Sequence, residues 1–370
     1  MHLPTSHLGS LDRFPPRDND PLQAWDAADL YLLSSVTAAG LDPQRPVLIL
    51  NDHFGALTTA LADFPVTSVS DSQISHLAMA HNLAKLGLSG PTMVDNLADW
   101  PQRPQLVLIQ LPKQLSLLEY QLAMLKPLLA DDSLVLAAGR DRDIPERAEK
   151  MLAKYIGATD RCLGWKKCRL FVSQRDDKAP LPMPRPQSWP LEGTAFTLTN
   201  HANVFSRQSL DIGARLMLEH LPQGHFGRVI DLGCGNGVLA LGLAARYPDC
   251  HYTLVDESHF AVASARDNFA ANLPDVAVEC IANDCLSGFK AKSADLVLCN
   301  PPFHQQQAVT DHIAWQMMKD AHRVLRVGGE LRLVGNRHLG YHLKLKRLFG
   351  GCTVVASNRK FVILSAKKRK

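Results

Sequence analysis

Short apolar runs recur along this chain, separated by stretches with helical spacing of their apolar positions. Val47-Leu-Ile-Leu50 and Leu106-Val-Leu-Ile109 mark the first half; Val229-Ile-Asp-Leu232, Tyr252-Thr-Leu-Val255 and Ala294-Asp-Leu-Val-Leu-Cys299 mark the second. Runs of this length suit strands buried on both faces. Their alternation with amphipathic segments predicts α/β domains with a parallel sheet and helices on both sides. Residues 175–193 interrupt the pattern with five prolines, which exclude a regular helix or a central strand. The expected organisation is a domain over 1–174, a stiff linker over 175–193 and a second domain over 194–370.

The two halves repeat one another in order. Val47 to Leu57 lies over Val229 to Leu239, Ser68-Val-Ser-Asp71 over Thr253-Leu-Val-Asp256, and Leu106 to Lys113 over Leu296 to Phe303. Trp165-Lys-Lys-Cys-Arg169 lies over Asn358-Arg-Lys-Phe-Val362. Matches in constant order and at near-constant offset predict two tandem Rossmann-like domains that arose by duplication; the alternative is convergent α/β patterning without duplication. The first copy retains Gly55 but carries Asn51 and His53 where the second has Gly233 and Gly235. A Cβ at those two positions is expected to obstruct the tight turn and the approach of a cofactor. The first copy therefore reads as degenerate.

At 370 residues, 46% of them hydrophobic, the chain can build a core in each half. No apolar run is long enough to span a bilayer, and the N-terminus lacks the basic and apolar regions of a secretory signal. The eight cysteines are scattered without a Cys-x-x-Cys pair. That pattern argues against disulfides and a zinc cage, and for a reducing cytoplasm. A net charge of +4 is only a weak lean toward nucleic acid. The clustering of Lys344, Lys346 and Arg347, of Arg359-Lys360, and of Lys367-Lys-Arg-Lys370 fits either solvated faces with a basic tail or contact with phosphates.

The second half carries the candidate chemistry. Gly233-Cys-Gly-Asn-Gly237, with Asn236 in the turn, follows a strand and opens a helix, so bare backbone can approach a ligand there. Asp231 precedes the glycines. Its carboxylate would repel a pyrophosphate but suits an ammonium, which favours S-adenosylmethionine over a dinucleotide. The plain alternative is a tight strand–helix connection. Asp256, ending the next strand, can accept both ribose hydroxyls, cap the following helix, or do both. Asp284 can accept from an adenine amino group while Asn283 shapes its turn; an ordinary Asn-Asp turn is the alternative. Phe205 can cover the pocket and Asp211 can reach the cofactor, or Phe205 belongs to the core and Asp211 caps a helix.

Asn300-Pro-Pro-Phe303 follows a strand at the end where parallel sheets place ligands. An aromatic amine is a poor nucleophile because its lone pair is delocalised into the ring. The Asn300 side-chain oxygen and the Pro301 carbonyl can each accept one N–H, which lets the nitrogen pyramidalise. Pro301 and Pro302 preorganise those acceptors, and Phe303 can stack on the base. An amine engaged in a duplex must first be unpaired or flipped out.

Asn203-Val-Phe-Ser206, Asp231-Leu-Gly-Cys-Gly-Asn-Gly237, Asp256 and Asn300-Pro-Pro-Phe-His304 together resemble the ribosomal RNA guanine-N2 methyltransferases of class I fold. The resemblance runs from about Arg13 to about Ala366. Its more specific markers are Pro21-Leu-Gln-Ala-Trp-Asp-Ala-Ala-Asp29 and His201-Ala-Asn-Val-Phe-Ser-Arg207. It implies a degenerate N-terminal methyltransferase copy that helps select the RNA and an active C-terminal one. It implies that Asp231, Gly233, Gly235 and Gly237 line S-adenosyl-L-methionine, that Asp256 binds its ribose, and that Asn300, Pro301 and Phe303 hold the guanine. The resemblance is strongest to the large-subunit branch, which implies 23S ribosomal RNA as substrate. A guanine of 16S RNA is the nearer alternative, and a non-catalytic RNA-binding protein on this fold is the other.

Overall fold

The computed structural model describes residues 5–16, 20–37, 40–144, 146–302 and 307–369, with the backbone alone for 307–311. The chain divides into two units between Arg185 and Pro186, inside the proline-rich segment. Leu181 packs into the core of the first unit and Leu191 into that of the second.

Among the described residues each unit holds a seven-stranded sheet. The first is built from β1 (Val47–Leu50), β2 (Val66–Val69), β3 (Thr92–Val94), β4 (Leu106–Gln110), β5 (Leu134–Arg140), β6 (Thr159–Arg161) and β7 (Cys168–Gln174). Their spatial order is 3-2-1-4-5-7-6, parallel throughout except for β7, which runs antiparallel to both its neighbours. Helices α1 (Ala27–Ser34) and α2 (Ala56–Ala60) cover one face; α4 (Leu115–Leu125) and α5 (Ala148–Tyr155) cover the other. Helix α3 (Gln73–Lys85) links β2 to β3.

The second unit opens with a ribbon of β8 (Gln187–Pro190) and β9 (Thr197–Asn200). Strand β8 lies in the segment where prolines predict no central strand. It is the edge of a two-stranded ribbon and ends at Pro190, where proline is tolerated. The main sheet comprises β10 (Arg228–Leu232), β11 (His251–Asp256), β12 (Val278–Ala282), β13 (Ala294–Cys299), β14 (Leu325–Asn336), β15 (Thr353–Ser357) and β16 (Phe361–Lys367). Its order, 12-11-10-13-14-16-15, is the first sheet's order shifted by nine, again with the sixth strand in space antiparallel. Helices α6 (Ile212–Glu219), α7 (Val238–Ala244) and α8 (His259–Asn272) cover one face, and α9 (Gln307–Val324) and α10 (Tyr341–Phe349) the other. Alternate residues of one strand serve the two cores: Val229 packs toward α7, Ile230 and Leu232 toward α9 and α10.

Strand register shows what each copy did with the shared backbone. Leu50 pairs with Val69 and Ile109, as Leu232 pairs with Val255 and Cys299. Ile49 therefore stands for Asp231, and Gln110 for Asn300. Asn51 stands for Gly233, and its N–H donates to Val69 O at 2.8 Å as that of Gly233 does to Val255 O. The expectation that a Cβ at Asn51 obstructs the turn is corrected here. Asn51 adopts φ +65°, close to the +71° of Gly233, and asparagine tolerates this left-handed conformation. The overlay of Asp71 on Asp256 is also corrected. Register places Ser70 there, and its Oγ accepts from Ser72 N as the Asp256 carboxylate accepts from Ser258 N.

The pocket side of the first copy is closed by its own side chains. Asn51 donates to Gln110 O and Gln121 Oε1, and Gln121 donates back to Asn51 and to Asn96. The buried Asp52 carboxylate accepts from the N–H groups of Gly55, Ala56, Leu57 and Thr58 and from the Thr58 hydroxyl. It satisfies the free N–H groups at the start of α2. Replacing Asp52 with Ala should therefore destabilise the protein by about 2 kcal/mol or more, at the upper end for a helix cap because the donors are buried. Urea denaturation of the full chain measures this. A change below about 0.5 kcal/mol would show that water serves those donors equally well.

Candidate active site

The turn from β10 to α7 uses its three glycines for two different reasons. All have positive φ: +71° at Gly233, +54° at Gly235 and +80° at Gly237. A Cβ on Gly233 would stand 2.9 Å from the Met317 methyl, and one on Gly237 would stand 3.0 Å from Leu254 and 3.1 Å from Ala265. A Cβ on Gly235 would meet nothing within 4 Å. Packing against Leu254 and Ala265 accounts for Gly237, the end of the flexible Met317 side chain lies closest to Gly233, and the space above Gly235 is open.

Two carboxylates flank this turn. Asp231 is buried, and one of its oxygens accepts from Ala240 N in α7 at 3.1 Å. Its other oxygen has no hydrogen-bond partner. Burial, with the neighbouring Asp256 charge adding to it, pushes the Asp231 carboxyl up to about 8. Asp256 accepts from Gly235 N at 2.9 Å with one oxygen and from Ser258 N at 3.0 Å with the other. Ser258 itself caps α8, so Asp256 is not the helix cap. Burial raises the Asp256 carboxyl as well, against the pull of those N–H groups. Each of its oxygens keeps a lone pair with which to receive a hydroxyl.

Beyond β12, the Asn283 amide donates to Cys285 O and Ser287 O and so closes its own turn. Asp284 accepts from Gln316 Nε2 of α9 at 3.0 Å, and burial raises its carboxyl. The Asn236 side chain points into the protein: its amide donates to Asn200, and its oxygen accepts from Val238 N. Asn236 can thus offer a ligand backbone but not its amide.

Asn300 leaves β13 beside the turn, its carbonyl 3.9 Å from a Cβ built on Gly233. The amide donates to Asp211 Oδ2 at 3.5 Å, and the same Asp211 oxygen accepts from Ala214 N at 2.9 Å as the N-cap of α6. This long contact turns the Asn300 amide nitrogen toward Asp211. The Asn300 side-chain oxygen, buried and without a partner, is left as the acceptor. Pro301 is buried and Pro302 exposed; Phe303 lies outside the described residues. Phe205 is half exposed and so is not a core residue.

Sequence reading missed the framework behind these groups. Asn268 of α8 donates to Thr199 O and to Asn236 O and accepts from Thr199 N. Four residues on, Asn272 clasps Thr197 in the same way. Asparagines at this spacing inside a helix are the available signal, since asparagine is a weak helix former kept for specific bonds. His201 stacks on Phe260 at 5.7 Å and bonds Asp267 at 2.9 Å, anchoring the segment that carries Phe205.

A 3-2-1-4-5-7-6 sheet with a glycine turn after its central strand and an acid closing the next defines the class I S-adenosylmethionine-dependent methyltransferases. Residues 195–365 match the methyltransferase small domain family, and residues 2–177 match the RLMG N-terminal domain. The chain is 51% identical to ribosomal RNA large subunit methyltransferase G of Aeromonas salmonicida (strain A449), covering 99% of both chains. It is 48% identical to the protein of that name from Klebsiella pneumoniae (strain 342), covering 98% of this chain and 96% of the other. The chain belongs to the ribosomal RNA large subunit methyltransferase G family. Among solved structures, the T. thermophilus 16S rRNA N2 G1207 methyltransferase in complex with AdoMet and guanosine shares the fold. Its TM-score is 0.78 at 24% identity, over 93% of this chain and 92% of that one.

The site's residues fit the cofactor of this class: an open glycine cradle, a free acceptor suited to an ammonium, and a carboxylate suited to a ribose. Gly235→Ala should fold with a penalty of about 1–2 kcal/mol from its left-handed φ, yet lose S-adenosylmethionine affinity. Gly237→Ala should lose stability beyond that through overpacking against Leu254 and Ala265. Melting curves and titration calorimetry separate the two. Undiminished binding by Gly235→Ala would mean that nothing lies over the cradle.

The Asp231 carboxyl gives a pH signature. Its folded-state pKa of about 8 lies above the ordinary value, so the folded state holds the proton more tightly and ionisation costs stability. The ligand-free protein should weaken from this group between roughly pH 4 and its folded pKa. Asp231→Asn should gain relative to wild type as pH rises. A cation bound beside Asp231 would ionise it, so cofactor binding near pH 7 should release nearly one proton. Calorimetry in buffers of differing protonation heat should find that release in wild type and not in Asp231→Asn.

Proposed function

We propose that the C-terminal unit transfers a methyl group from S-adenosylmethionine to the exocyclic N2 of a guanine in 23S ribosomal RNA. The observation that carries this reading is the buried, unpartnered Asn300 oxygen beside the glycine turn, held in place by Asp211, in a chain of this family. When bound, S-adenosylmethionine supplies an electrophilic methyl group. Asp231 would hold its ammonium, Asp256 its ribose hydroxyls, and Asp284 its adenine amino group.

Asn300 Oδ1 accepts one N–H of the guanine amine and the Pro301 carbonyl accepts the other. Held between two acceptors, the nitrogen loses conjugation with the ring and aims its lone pair out of plane. The two prolines keep those acceptors from reorganising as charge develops on nitrogen. No strong general base is needed, because the proton becomes acidic once the nitrogen is cationic. The half-exposed Phe205 ring is available to cover the site. Part of the amine is engaged in base pairing within a duplex, so the target guanine is unpaired or flipped out.

The N-terminal unit serves as an RNA-selecting scaffold without cofactor, a role that suits its self-satisfied pocket. No helix among the described residues is long and apolar enough to cross a membrane, and all eight cysteines are free thiols. Both facts are compatible with a cytoplasmic enzyme acting on ribosomal RNA.

Incubation with labelled S-adenosylmethionine and unmodified ribosomal RNA should place label on a guanine N2 of the large-subunit RNA. Label on small-subunit RNA would move the target, and no label on RNA would overturn the reading. Asn300→Ala should lower kcat by about 10²–10³-fold, comparable to deletion of one preorganised group, while RNA affinity stays within about twofold. Unchanged turnover would remove Asn300 from the chemistry.

A further inference from the structure

We propose that Arg337, Arg359 and Lys360 form a phosphate clamp on the rim of the catalytic sheet, gripping the RNA backbone beside the target base. The inference rests on the RNA reading above and adds to it a specific contact surface.

The topology brings the clamp to the site. Strand β15 runs toward the same edge at which Asn300 emerges, and β16 returns from it; residues 358–360 are the tip between them. Cys299 pairs with Leu333 on β14, and three residues further along β14 Asn336 pairs with Phe361 on β16. From Asn300 the base of the tip is thus about two residues along and two strands across, or about 12 Å away.

A short run of contacts joins the two places. The Phe361 ring lies 3.2 Å from a Cβ built on Gly213, in the first turn of α6. Asp211 caps that turn and holds the Asn300 amide. The tip therefore has a fixed relation to the acceptor that holds the base.

The tip is held by its own hydrogen bonds, and its charges are not committed to carboxylates; the Lys360 ammonium lies over the Phe361 ring at 5.2 Å. Asn358 Oδ1 accepts from Lys360 N at 2.9 Å and from Phe361 N at 2.7 Å, and Asn358 N donates to Phe361 O at 2.9 Å. Arg337 N donates to Lys360 O at 2.9 Å, which brings its guanidinium to the same tip, where it donates to Asn358 O at 3.3 Å. All three cations are exposed. Among the described residues none has a carboxylate within ion-pair distance, whereas Arg215, Arg323, Arg326 and Arg332 of the same unit are paired with Glu192, Asp320, Asp295 and Glu330. A concentration of unpaired cations at the mouth of a site is an electrostatic footprint for phosphate.

The first copy has kept the feature while losing the chemistry. Its β6–β7 hairpin closes through Lys166-Lys167, with reciprocal bonds between Trp165 and Cys168. Both lysines stand in left-handed backbone, φ +47° and +61°, a conformation that glycine or asparagine would adopt more cheaply. Two cations at that tip in both copies point to a use for charge there.

The helix α10 cations are the natural control. Lys344 lies over the Tyr341 ring and Arg347 over the Trp315 ring, and the helix packs on α9. Two variants of equal charge change separate local contact from bulk attraction: Arg359→Gln/Lys360→Gln at the rim and Lys344→Gln/Lys346→Gln on α10. The rim variant should raise the KM for ribosomal RNA about tenfold with kcat within about twofold, and should reduce the salt dependence of binding by about one unit of slope for each cation removed. The charge-preserving swap Arg359→Lys/Lys360→Arg should restore most of the affinity. Melting temperature and S-adenosylmethionine affinity should match wild type in every variant. If the α10 variant loses as much as the rim variant, or the rim variant loses nothing, the clamp is refuted while the methyltransferase reading stands. If wild type itself transfers no methyl group to ribosomal RNA, the functional reading has failed and the clamp with it.

Discussion

Between Leu232 and Val238 the chain passes from a buried strand into a buried helix, and it must do so while leaving backbone bare. Left-handed φ at three glycines achieves the reversal. Two carboxylates, the buried Asp231 and the half-buried Asp256, then hold its shape, Asp231 through α7 and Asp256 through Gly235 N. Burying an acid with an unpartnered oxygen is unfavourable for folding alone. The arrangement makes physical sense if a donor or cation completes it. A pyrophosphate would meet repulsion from both acids; a ligand with an ammonium at one end and ribose hydroxyls at the other meets attraction.

The first copy shows what the same backbone becomes without that demand. Ile49 replaces Asp231 within the core, Ser70 replaces Asp256, and the Gln110 amide donates to the buried Asp29. Asn51 keeps the left-handed turn and uses its amide to bridge Gln110 and Gln121. A charge that once needed a ligand has become an aliphatic side chain, and the acceptors at the strand ends have become a network that largely satisfies itself. The fold survives because the turn's conformation was retained even as its glycine was lost.

Much of this was legible in the sequence because it depends on local pattern. Apolar runs located the strands, spacing located Gly233 to Gly237, and position after a strand singled out Asp256 and Asn300. What the sequence could not reveal depends on distant partners. The inward turn of Asn236 is set by Asn200, 36 residues away, and the orientation of the Asn300 amide by Asp211, 89 residues away. Counting identities misplaced Asp71 by one residue, because pairing with β1, not the nearest carboxylate, determines the equivalent position. The left-handed Asn51 escaped for a different reason: asparagine is permitted there, so its presence signals neither loss nor retention of the turn.

Asp211 joins two scales of the structure. As a helix cap it belongs to the stability of α6, whose first turn packs on Phe361. As the partner of Asn300 it takes the amide nitrogen and leaves the amide oxygen as the open acceptor on which the proposed chemistry relies. An amide with its ends exchanged would present a donor to an amine that is itself a donor, and the two would repel. The helix and the hydrogen-bond acceptor are therefore coupled through one oxygen, so whatever displaces the start of α6 also loosens the acceptor. Placing that oxygen between a packed helix and the catalytic loop keeps the site's polarity fixed by the fold and independent of side-chain chance.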